Sequence, residues 1–75
     1  MMSRLPQVRP RQVVSVLKRK GFVDAGYDGS HRILIQEERN LQTSVPIHPG
    51  DVGRGLLKKI LRQAEISEEE FRKLL

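Results

Sequence analysis

The sequence predicts a two-layer α+β domain, ordered α-β-β-β-α and followed by a short terminal helix. Three observations lead there. Apolar residues recur at helical spacing in two separate stretches. Between these stretches, short alternating runs are punctuated by turn residues. The chain is only 75 residues long, which leaves room for one core. A three-stranded antiparallel sheet has one face to bury, and two amphipathic helices on that face can cover it. The other face stays wet.

Each element follows from local chemistry. Residues 1–9 lack periodicity and read as a loose lead-in, with 10–75 as a single domain. Pro10 suits a first helical turn, where its missing N–H costs nothing. Val13, Val14, Val16 and Leu17 form one stripe, and Gly21 is a stop signal, so helix one runs from about Pro10 to Lys20. Phe22–Tyr27 reads as a short strand, weakened by Asp24 and Gly26. Asp28-Gly29 signals a hairpin. His31–Gln36 is the strongest strand. Its pleat puts His31, Ile33 and Ile35 on one face and Arg32, Leu34 and Gln36 on the other. Leu41–Val45 alternates again, and Pro46 ends it.

A Pro- and Gly-rich loop, 47–53, leads to helix two, whose apolar arc is Leu56, Leu57, Ile60, Leu61 and Ala64. Gly50–Gly55 lacks the lysine and spacing of a phosphate-binding loop, so it reads as a connection. Ser67-Glu68-Glu69-Glu70 is a capping box that opens the final helix through Phe71 and Leu74.

Composition narrows the function. The chain has no Cys, which removes disulfide scaffolds, thiolate metal sites and Cys nucleophiles. It has no long apolar run, so neither a membrane span nor a secretory signal is expected, and the cytoplasm is the default location. The net charge is +5, but it is uneven. Residues 1–64 carry +7 and residues 65–75 carry −2. A small body at +7 favours a polyanion, most often nucleic acid.

Two histidines stand out. His31 begins the best strand and His48 begins the loop after the third. Beside RNA, a histidine can take the 2′-hydroxyl proton or protonate the leaving 5′-oxygen, without a metal or other cofactor. Lys or Arg can stabilise the charge on phosphorus. A surface histidine of no special role is the plain alternative at both positions.

Gly29-Ser30-His31, Val45-Pro46-Ile47-His48, the run Gly55–Ala64 and Ile66–Phe71 resemble, in order and spacing, the HicA (YcfA-like) toxin family of type II toxin–antitoxin systems. The likeness covers about Pro10 to Phe71. It implies a double-stranded-RNA-binding-domain-like fold and an mRNA interferase, an endoribonuclease that arrests translation. It implies His31 as the catalytic histidine; His48, from the residues alone, is a candidate second proton carrier. A HicB-like antitoxin would be the partner, and operator DNA would be reached only through it.

Arg11, Lys18, Arg19, Ser30, Arg32, Lys58, Lys59 and Arg62 are the expected RNA contacts. Arg32 points away from His31 on the strand. Two positions depart from the family pattern. Leu56 stands where Thr is common, so Asp51 or Gly53 would start helix two. Glu65 stands where Gly is common, so the helix is expected to run on or end differently. A non-catalytic RNA-binding module of the same fold, or a pure interaction protein, would share the charge without needing His31.

Overall fold

The structure, a computed structural model, describes residues 5–75. The elements are α1 (Pro10–Arg19), β1 (Val23–Asp28), β2 (His31–Gln36), β3 (Leu41–Pro46), α2 (Arg54–Ala64) and α3 (Glu68–Leu74). The order is the predicted one. The strands form an antiparallel sheet in the order β1-β2-β3, with β2 central.

Both long helices end in the same way. After α1, the Gly21 N–H donates to the Lys18 carbonyl and the Phe22 N–H to Leu17. This is the double bond pattern that satisfies terminal carbonyls, and it needs a left-handed residue, here Gly21 at φ 91°. After α2, Glu65 N–H bonds Arg62 and Ile66 N–H bonds Leu61. Glu65 therefore takes the left-handed place at φ 57°, contrary to the expectation that Glu avoids it. Buried Ile66 anchors the turn and Arg39 pairs with the Glu65 carboxylate, so tertiary contacts hold a conformation its propensity opposes. Gly53 is the N-cap of α2, one of the two expected starts.

The strand turns are short. Gly29 and Ser30 alone join β1 to β2, because Asp28 pairs with His31. The first loop residue, Gly29, has φ 64°, which a tight hairpin demands and Gly supplies. Asn40 fills a left-handed place in the second turn. In β1, Ala25 and Gly26 together face Ile33, a bulge. The extra residue breaks strict alternation, which is why this strand reads weakly in sequence. It also puts Asp24 and Tyr27 on the same face, opposite Leu34 and Arg32 respectively.

Leu34, Thr43 and Val45 supply the buried sheet face. Val13, Val14, Val16 and Leu17 of α1 close over it with Leu57, Ile60, Leu61 and Ala64 of α2, and Phe22, Ile66 and Phe71 complete the core. Leu56 is the exception in its arc and stays 37% exposed. Ser67 caps α3 by accepting from the Glu70 N–H. The Glu70 carboxylate does not return the bond, as the predicted box requires, but pairs with Lys20 across the fold.

The lead-in differs from expectation over its described part. Leu5 and Val8 are each 2% exposed and belong to the core. Val8 pairs with Val52, its carbonyl accepting from the Val52 N–H at 2.7 Å, and Arg54 Nε donates to the Leu5 carbonyl at 2.9 Å. Two apolar residues among polar ones carry no period, so only the tertiary structure shows their use. The first four residues lie outside the described part.

Asp24 ties the sheet to α1. Arg32 grips its carboxylate with Nε at 2.6 Å and Nη2 at 2.8 Å, and Lys18 approaches to 3.1 Å. The Arg32 hydrogen bonds, then Lys18, hold the Asp24 carboxyl down at about 2. The same bond holds the Arg32 guanidinium more firmly protonated.

Two outcomes follow. Leu5→Ala should cost about 2–5 kcal/mol in urea unfolding, as a core leucine does, whereas a loose lead-in would cost less than about 0.5. A depressed carboxyl contributes stability that is present above its unfolded pKa and lost as pH falls through the folded one. The thermal stability gap between the native chain and Asp24→Asn should therefore be full near neutral pH and close between about pH 4 and 2. A gap that is constant with pH would show that the clamp does not carry it.

Candidate active site and cationic surfaces

The pleat of β2 divides the expected site residues. Leu34 and Gln36 point into the helix layer, so His31, Ile33 and Ile35 point to the uncovered face. His31 is exposed at the start of the strand. Its cross-strand neighbours on that face are Asp28 on β1 and Pro46 on β3. Among the described residues nothing hydrogen-bonds its ring. Ser30, next to it in the exposed turn, gives its carbonyl to the Ile47 N–H at 2.9 Å. That bond ties the turn before His31 to the start of the loop after β3. The site is thus an open imidazole on a short, doubly anchored hairpin.

The same uncovered face is more apolar than a solvated one. Val23 pairs with Ile35 and is 53% exposed, and Ile33 and Ile35 are half-buried. Gln42 and Ser44 complete the face from β3.

Arg32 lies on the opposite face, as its place on the strand predicts. There it meets the N-terminal turn of α1 and the loop after β3. Arg9, Pro10, Arg11, Arg32, Ile47 and His48 line a cleft of about 260 Å³. His48 is exposed, and its Nδ1 lies 3.0 Å from the Pro49 carbonyl. A carbonyl only accepts, so Nδ1 carries the hydrogen and Nε2 is left for another partner. Arg9 approaches Asp51 at 3.8 Å. Sequence reasoning missed Arg9 by assigning it to the lead-in. The signal was Arg9-Pro10-Arg11, two cations flanking a helix-starting proline.

The remaining cations are spread out. Lys58, Lys59 and Arg62 are exposed on the side of α2 turned away from its buried residues, hence away from the sheet. The helix layer and the sheet separate them from His31. Arg19 borders a shallow groove beside Leu74 and Leu75. Lys18 is held by Asp24. Arg11, Arg19, Lys58, Lys59 and Arg62 have no acidic partner among the described residues. Those residues also contain no group of three or more His, Asp or Glu placed to hold a metal ion, and no helix long and apolar enough to cross a membrane.

An exposed imidazole beside a tight turn can move protons to and from a bound polymer, and separated cationic patches can hold that polymer's backbone. Comparison with curated proteins finds no match. A family model described as the HicA toxin of bacterial toxin–antitoxin systems matches residues 10–66, from the start of α1 through α2 to Ile66. That match takes in more than half of the chain, including the hairpin that presents His31, and the chain belongs to the HicA toxin family, the toxin side of a toxin–antitoxin pair.

Proposed function

We propose that this toxin is a cytoplasmic endoribonuclease that cleaves mRNA, with His31 as its proton-transferring residue. The exposure of His31 on the Gly29-Ser30 hairpin, with no protein group among the described residues bonded to its ring, carries the reading. The reaction needs no metal. The 2′-oxygen of the RNA attacks the adjacent phosphorus, and the bond to the 5′-oxygen breaks. The 2′-hydroxyl loses its proton and the departing 5′-oxygen gains one, leaving a cyclic phosphate end. His31 serves as base or acid in that exchange. Asp28, the cross-strand partner of His31 on β1, shares the uncovered face with the imidazole.

Arg11, Arg19, Lys58, Lys59 and Arg62 hold phosphates along the strand, with Ser30 beside the reacting group and Lys18 and Arg32 partly committed to Asp24. The affinity for single strands then falls with salt by about 0.7 log units per tenfold salt for each phosphate held. A HicB-like antitoxin covers the His31 face. Val23, Ile33 and Ile35 give it an apolar seat there, and the basic body favours an acidic partner surface. Contact with operator DNA belongs to the antitoxin.

His31→Ala should keep its fold and its antitoxin binding while RNA cleavage falls by about 10²–10⁴-fold, with toxicity on induction lost too. Cleavage at the native rate would remove His31 from the mechanism. Activity should persist in a chelator. Strong inhibition by chelation would point to metal-assisted hydrolysis instead.

A further inference from the structure

The cleft on the helix side of the sheet has features that a plain cationic surface lacks. Pro10 and Ile47 supply apolar walls, and Ile47 is 39% exposed. Arg9, Arg11 and Arg32, three arginines, all line the same hollow. Arg32 commits Nε and Nη2 to Asp24, which leaves Nη1 to donate elsewhere. The two nearby carboxylates, Asp24 and Asp51, each already face arginine, so the hollow remains net positive. Guanidinium planes stack on nucleobases and their N–H groups meet phosphates. Tyr27, 64% exposed, pairs with Arg32 from β1 on the same face, so its ring lies beside the hollow and outside its lining. Exposed aromatic rings beside arginine are how single-stranded nucleic acid is held without reading its sequence.

Size and connection sharpen the match. At about 260 Å³ the cleft is smaller than the ~300–1,000 Å³ typical of small-molecule sites, so it takes one nucleotide and not two. Its Ile47 wall is bonded to Ser30, and β3 register sets Pro46 beside His31. A strand lying at His31 therefore reaches the cleft by turning round the end of the sheet.

We propose that this cleft binds one nucleotide of single-stranded RNA, a neighbour of the one cleaved at His31. The assignment rests on the ribonuclease reading for its link to cleavage. In this arrangement His48 contacts the bound nucleotide through Nε2, and is not a second proton carrier. The base stacks on the guanidinium planes between Pro10 and Ile47.

The test uses the whole chain and a short single-stranded 2′-O-methyl oligoribonucleotide, which cannot be cut by 2′-oxygen attack. Titration followed by amide NMR should move the signals of Arg11, Ile47 and His48. The Arg9→Gln/Arg11→Gln chain should bind about tenfold more weakly. Ile47→Ala, which removes one apolar wall of the hollow without changing charge, should also weaken binding, its amide spectrum confirming the fold. Shifts confined to the outer side of α2, or an unchanged Kd in both variants, would overturn the assignment. The two readings fail separately. A chain that binds in the cleft but leaves unmodified RNA uncut defeats the ribonuclease reading alone. A chain that cuts RNA with no change at the cleft defeats this one.

Discussion

The pleat of β2 is the constraint on which the rest depends. Successive side chains on a strand must take opposite faces, and only one face of this sheet is covered. Leu34 lies fully buried under the helices. That choice sends Arg32 and Gln36 inward with it and forces His31, Ile33 and Ile35 outward. A one-residue slip would bury the imidazole and expose the core leucine. The same parity sets β3, where Thr43 and Val45 face the helices and Pro46 sits beside His31. The exposed histidine is thus a consequence of how the core is built.

Charge is distributed by the fold in a way that net charge does not show. Asp24 occupies both Arg32 and Lys18, Glu70 takes Lys20, and Glu65 takes Arg39. These pairs are largely exposed, so each contributes little to stability in salt. Their greater effect is to decide which cations are left for a partner. Those left without an acidic partner among the described residues include Arg11 at the cleft, Arg19 beside Leu74 and Leu75, and Lys58, Lys59 and Arg62 on the outer side of α2, all away from the sheet face that carries His31. A polyanion that used all of them would have to wrap the domain.

Local preference and tertiary demand disagree at a few places, and each has a physical cause. Glu65 holds a left-handed conformation because Ile66 must reach the core and Arg39 anchors the carboxylate. Glu70 gives up its share of a capping box for Lys20 on α1. The bulge at Ala25 and Gly26 sacrifices strand regularity and brings Asp24 onto the face where Arg32 and Lys18 wait. Gln36 is nearly buried, and its Nε2 donates to the Lys20 carbonyl at the end of α1, joining the far end of β2 to the helix layer.

By itself the sequence determined the order of elements, the helix stripes, the Asp28-Gly29 hairpin turn and the opposition of His31 to Arg32. All of these rest on periods and turn residues within a few positions of one another. It also presented Gly29-Ser30-His31 as the hairpin that holds the candidate catalytic group. The tertiary structure alone decided which face of the sheet is covered, because that depends on helices distant in sequence. It alone brought Leu5 and Val8 into the core, where an aperiodic segment meets the Val52 loop. It alone gathered Arg9, Arg11, Arg32 and His48 into one cleft, since these come from three separate stretches that only long-range packing makes neighbours.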